Sequence, residues 1–137
     1  MVTDPKRCQV VLVAQPEEMP VRETAETAET LSKMGIALGP VVMNGVWPEI
    51  RSLGKDPVAT LRDAARAADE NLSDEALDVL ASVATTHGRR ARNQRKAMKT
   101  LADEVSSPQI ELPYLFTERM ARPEVEQLAA ILSECVS

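Results

Sequence analysis

Val10-Val11-Leu12-Val13-Ala14 is an unbroken apolar run, closed off by Pro16 and Pro20. Continuous apolarity with β-branched residues predicts a strand buried on both faces, as in a parallel sheet. From Val21 to Met34 the period becomes helical. Val21, Ala25, Ala28 and Leu31 form one face, and Gly35 supplies a C-terminal stop. Pro40-Val41-Val42-Met43-Asn44 predicts a second short strand, with Gly45, Pro48 and Gly54 marking the loop after it. Asp56-Pro57 reads as an N-cap followed by proline at the first helical position. That helix turns Val58, Leu61, Ala64, Ala65 and Ala68 inward. Ser73 caps the next helix, whose stripe is Leu77, Leu80, Ala81 and Ala84. Gly88 is expected to interrupt it before the period resumes with Ala91, Gln94, Met98 and Leu101. Pro108 ends this region. Ile110-Glu111-Leu112 predicts a third strand, stopped by Pro113. Pro123 opens a last helix, with Val125, Leu128, Ala129 and Leu132 facing the core.

The resulting order is strand, helix, strand, helices, strand, helix. Such alternation predicts an α/β fold with a parallel sheet of about three strands and flanking helices. A sheet this small has at least one bare edge, which is a liability for a free-standing domain. Part of the sheet is therefore expected to come from outside this sequence, and self-association is expected where it does not.

Composition narrows the picture. Apolar residues make up 44% of the 137 residues, but aromatics only 2%: Trp47, Tyr114 and Phe116. Ala, Val, Leu and Met must fill the core. The formal net charge of -5 argues against nucleic acid as a whole-surface partner, because counterion release needs clustered positive charge. Cys8 and Cys135 lack CxxC spacing and read as free thiols in a reducing compartment. The apolar runs fall short of the roughly 20 residues of a membrane span. These features predict a cytoplasmic protein.

Ligands of open α/β sheets bind beyond the carboxyl ends of the strands. The first strand leads there to Glu17 and Glu18, the second to Asn44, and the third to Pro113-Tyr114-Leu115-Phe116. An amide can both donate to and accept from a base edge, and leucine or aromatic side chains can cover a base face. The same residues also admit a structural reading. Asn44 would start an Asx turn with Gly45, the glutamates would be solvated, and the aromatics would be core. The pattern G-x-x-x-x-G-K-[ST] is absent, so no catalytic residue for phosphoryl transfer is assigned. The lone His87 has no metal-binding partner at helical spacing, and no metal ligand is assigned. Arg89, Arg90, Arg92, Arg95, Lys96 and Lys99 form a basic cluster, with Arg89, Arg92, Lys96 and Lys99 on one helical stripe. It reads either as a surface for an acidic partner or as a solvated helix face.

The segment VVLVAQPEEMPVRETAETAETLSKMGIALGPVVMNGV resembles the later half of ArsA-type anion-transporting ATPases, which include arsenite-pump and tail-anchored-protein-targeting ATPases. Glu17 in P-E, Glu23-Thr24 six residues on, and Asn44 closing V-V-M-N carry the resemblance. Asp4-Pro5 and the loop Leu112-Pro113-Tyr114-Leu115 extend it over nearly the whole chain. The helix with Arg92 and Gln94 is similar to the region where some members carry a C-x-x-C zinc pair. Here that neighbourhood reads Thr86-His87-Gly88, so zinc-mediated dimerisation is not carried over.

The resemblance implies a partial P-loop-NTPase-type (SIMIBI-like) sheet across residues 1–137, with a helical insertion at about 56–105. It implies an adenine site in which Asn44 reads the base edge, Pro113, Tyr114 and Leu115 line the base, and Glu17 lies near the ribose or a dimer interface. ATP or ADP with magnesium would bind only in the complete protein. The partner would be the missing N-terminal half or a paralogous subunit. The alternative is a non-catalytic interaction module that uses the basic helix to bind an acidic partner.

Overall fold

A computed structural model describes residues 8–50 and 53–136. Asp4-Pro5 and the Cys135 side chain lie outside the described part. The elements are β1 (Val10–Ala14), α1 (Glu18–Lys33), β2 (Leu38–Val46), α2 (Pro57–Ala67), α3 (Asp74–Glu104), β3 (Gln109–Pro113) and α4 (Arg122–Val136). The strands form one parallel sheet in the order β1-β2-β3. This is the α/β arrangement the alternation predicts. No helix among the described residues is long and apolar enough to cross a membrane.

The chain divides into two compact units, Met1–Pro48 with Asn93–Ser137, and Glu49–Arg92. The first holds the sheet. On one sheet face Ala14, Val41, Met43 and Val46 pack with Val21 and Ala28 of α1, with Met98 and Leu101 from the end of α3, and with Val105 just past it. On the other face Val42, Ile110 and Leu112 pack with Leu128, Ile131 and Leu132 of α4. The sheet therefore has a helical layer on each face, and β2, the middle strand, is buried on both.

β1 departs from its expected burial. Leu12 packs into the α1 side, but Val11 and Val13 are 51% and 65% exposed. Val13 lies in register with Val42, so it belongs to the α4 face. α4 covers Val42, Ile110 and Leu112 and stops short of β1. An apolar run marks a strand that something could cover on both sides; here one side is bare.

α1 begins two residues before Pro20, which sits in the first turn, where a missing N–H removes no helical bond. Gly35 takes φ +70 just past its end. The Ile36 amide then donates to the Leu31 carbonyl at 3.0 Å, and the Gly35 amide to Ser32 at 3.0 Å, closing the helix with a left-handed cap. Thr24 faces the core, and its buried hydroxyl donates to the Pro20 carbonyl at 2.7 Å.

In the second unit the Asp56 carboxylate accepts from the Ala59 amide at 3.0 Å, and the Ser73 hydroxyl accepts from Ala76 at 3.2 Å. Both N-caps stand where the residues predict them. The inward faces differ. No residue of α2 is fully buried, and Ala64 and Ala68 are exposed. In α3, Leu77 and Ala81 are buried whereas Leu80 is exposed. Gly88 does not break the helix: it is buried within a continuous α3, and a Cβ there would lie 3.2 Å from the Arg92 guanidinium. In α4 the inward residues are Leu128, Ile131 and Leu132, while Val125 and Ala129 face solvent.

Candidate functional site

The carboxyl ends of three parallel strands share one edge of the sheet. Ala14 of β1 pairs with Met43, and Leu112 and Pro113 of β3 pair with Asn44 and Val46. β2 thus overruns β1 and delivers Asn44-Gly45-Val46-Trp47 beyond it. The register between β2 and β3 shifts at Gly45, which has φ +80. A glycine in the left-handed region is the extra residue of a bulge, and bulges re-aim the chain at strand ends.

The bulge is stitched from below by Gln94 of α3, which is 3% exposed. Its side-chain oxygen accepts from the Trp47 amide at 2.8 Å, and its side-chain nitrogen donates to the Gly45 carbonyl at 3.3 Å. A buried polar side chain needs such partners. The helical period places Gln94 on the inward stripe; only the fold shows that its amide stands in for a neighbouring strand at the point where the ladder is interrupted.

Asn44 is exposed and shares the sheet face of Val42 and Leu112. Its side chain makes no hydrogen bond to the described residues, so the Asx turn with Gly45 is not formed. Beside it, the Tyr114 amide donates to the Val46 carbonyl at 2.8 Å. This tie brings Pro113-Tyr114-Leu115 against the end of β2. Leu115 is half-buried, and its carbonyl accepts from the Thr117 amide at 2.9 Å. Pro16 is among the most deeply buried residues, and Glu17 after it is the exposed N-cap residue of α1. Glu17 therefore stands on the same edge as Asn44, at the β1 end.

The residues alone do not show that all three aromatics of the chain meet here. Ring centroids of Trp47 and Tyr114 are 5.5 Å apart, those of Trp47 and Phe116 5.3 Å, and those of Tyr114 and Phe116 4.9 Å. The tilted and edge-on angles are those favoured by ring quadrupoles. Tyr114 and Phe116 remain 46% and 61% exposed, so the cluster is a surface wall rather than the core expected from the structural reading of these rings.

Residues 1–62, spanning β1, α1, β2 and the start of α2, match the family of anion-transporting ATPases, ArsA type. Over this stretch the chain is similar to that family. No curated protein matches it. Glu17, the buried Thr24 and Asn44 lie within the matched residues. The third strand and its aromatic loop lie beyond the matched residues.

The basic cluster, which lies beyond the matched residues, is partly engaged. Arg95 bonds Glu111 at 2.6 Å, and Lys99 bonds Asp103 at 3.0 Å. Arg89, Arg92 and Lys96 are exposed, with Arg89 and Arg92 in the second compact unit and Lys96 in the first. Among the described residues, no group of three or more His, Cys, Asp or Glu side chains could hold a metal ion.

Proposed function

We propose that this ArsA-like chain supplies the base-binding part of an adenine-nucleotide site in an anion-transporting-ATPase-type protein. The observation that carries the reading is the pairing of an exposed Asn44 amide with the Pro113-Tyr114-Leu115 wall, both at the carboxyl edge of a parallel sheet. Asn44 would present a donor and an acceptor to the polar edge of adenine. Tyr114 and Leu115 would cover the base face, with Pro113 setting the loop. Glu17 would flank the ribose or a subunit interface. The segment at about 56–105 is a helical insertion on this reading.

The sequence contains no G-x-x-x-x-G-K-[ST], so phosphates and magnesium would be held by a complementary half, in the same polypeptide or on a second chain. That half would supply the hydrolytic chemistry. This chain's residues would bind and orient the base. Self-association, or association with the complementary half, would complete the sheet at β1.

Trp47 tests the reading, since it is the chain's one tryptophan and its ring lies against Tyr114 in a tilted contact. With the complementary half added, ADP should change Trp47 emission saturably, and Trp47→Phe should abolish that signal. ADP binding that leaves Trp47 emission untouched would place the base elsewhere and sink the proposal.

A further inference from the structure

The opposite end of the sheet carries a concave feature. A groove of about 940 Å³ runs between the C-terminal part of α1, the turn into β2 and the segment Val105–Ser107 that leads into β3. All of it belongs to the unit that holds the sheet. Its floor is apolar: Ala25, Ala28, Ile36, Leu38 and Val105 line it, and all but Ile36 join the core beneath the sheet's α1 face. Of the α1 residues lining it, Ala25, Ala28 and Ser32 are small, while Arg22, Glu26 and Glu29 stand along the rim. The small side chains leave room for another backbone to approach.

The rim is negative for two reasons. Among the lining residues, Glu26, Glu29 and Glu104 stand against one cation, Arg22. Arg22 bonds Glu26 at 3.3 Å and Lys33 bonds Glu29 at 2.7 Å, but both pairs are largely exposed and hold each other weakly. Glu104 makes no ion pair among the described residues. The second reason lies in the topology. Helices that return a chain to parallel strands end at the amino edge of the sheet, so the C-termini of α1 and α3 both arrive here. Each brings the negative end of its dipole, which Lys33 offsets in the last turn of α1. α3 has no basic residue in its last turn to offset that.

From this charge complementarity we infer that the groove is a docking site for a cationic amphipathic helix of a partner protein. Apolar residues on one face of that helix would lie on the alanine-rich floor. Its flanking lysines or arginines would meet Glu26, Glu29, Glu104 and the helix ends. This is helix-in-groove recognition, with charge setting orientation and partner choice. The site is at the far edge of the sheet from Asn44 and does not depend on nucleotide.

The experiment uses the intact chain and two fluorescein-labelled synthetic helices. Both carry leucines on one face; one is flanked by lysines and the other by glutamates. Fluorescence anisotropy should show saturable binding of the lysine helix, weakened by salt, and none of the glutamate helix. The double variant Glu26→Lys, Glu104→Lys should weaken the lysine helix about tenfold or more, since the change acts on close charges at the rim. Glu118→Lys with Glu126→Lys makes the same change in net charge away from the groove and should leave binding unaltered. Ser32→Trp, at an exposed lining position, fills the groove without altering charge and should also weaken binding. Thermal melts establish that each variant is folded. Equal binding of the two helices, equal loss in both charge variants, or no effect of Ser32→Trp would each overturn the inference.

Discussion

Gln94 spans a gap in the backbone ladder, accepting from the Trp47 amide at 2.8 Å and donating to the Gly45 carbonyl at 3.3 Å. One side chain thus fixes the end of β2 from which Asn44 projects. Replacing it removes partners from two backbone groups at once. Gln94→Leu should lower stability by about 1–3 kcal/mol, the usual penalty for leaving buried polar groups unsatisfied. Urea titration followed by circular dichroism measures this. Trp47 emission should shift even in the folded variant, because its amide loses its anchor. A variant with wild-type stability and emission would show that Gln94 merely fills space.

The bare side of β1 gives the second prediction. Val11 and Val13 expose apolar surface next to an open strand edge that carries no charged residue from Val10 to Ala14. Such edges invite pairing, and contiguous apolar patches drive association. The chain should therefore self-associate, as seen by light scattering coupled to size exclusion. Val11→Thr with Val13→Thr keeps β-branching and should shift the population toward monomer. A wild-type chain that elutes as a monomer and melts cooperatively at high temperature would show that the sheet needs no partner.

The course of the chain was readable because proline, glycine and capping signals agree with the apolar period at most boundaries, although Pro20 falls inside α1 and Gly45 inside β2 rather than in the loops expected there. Asp56, Ser73 and Gly35 do in the fold what their residue types predict. Faces were less readable. Val11 and Val13 look like core because a sequence does not reveal which layer is missing above a strand. Gly88 looks like a break because glycine is a poor helix former, yet its penalty of about 1 kcal/mol relative to alanine is small beside tertiary packing. The aromatic wall was hidden altogether. Trp47 and Tyr114 are distant in sequence, and only the β2–β3 register and the Tyr114–Val46 hydrogen bond bring them together.

Glu29 offers a local test of α1. Its carboxyl is held below the ordinary value of 4.5 by the hydrogen bond from Lys33 and by the charge of that ammonium. A depressed folded-state value means that the pair helps the fold above the unfolded pKa. That help is lost as pH falls through the folded one. Lys33→Ala should return the Glu29 titration, followed by carboxyl carbon NMR, to the ordinary range. The stability difference between wild type and Lys33→Ala should vanish in acid. Persistence of the depressed value in the variant would show that another group holds it.

Hydrolysis is the fourth test. Phosphoryl transfer depends on a loop and metal that position and neutralise the phosphates, and the pattern for that loop is absent from the 137 residues. Purified chain should release no phosphate from ATP in a steady-state assay. Magnesium-dependent turnover that survives repeated purification would show that the assignment of roles is wrong.

The adenine assignment itself rests on Asn44. Its amide is exposed at the end of β2, in register with Leu112 and next to the loop that carries Pro113, Tyr114 and Leu115. In protein completed by the phosphate-binding half, Asn44→Ala would leave the polar edge of the base without its partner. A lost hydrogen bond of this kind costs roughly 1–3 kcal/mol, or about one to two decades in affinity. The phosphates would still be held, so the loss should fall on adenine and spare guanine, whose edge presents a different donor–acceptor order. Competitive binding of ADP and GDP to wild type and Asn44→Ala measures the difference directly. Discrimination should narrow while GDP affinity stays constant. If both nucleotides weaken together, Asn44 supports the loop rather than the base. If neither weakens, the base lies elsewhere, and the wall of Tyr114 and Leu115 serves another ligand.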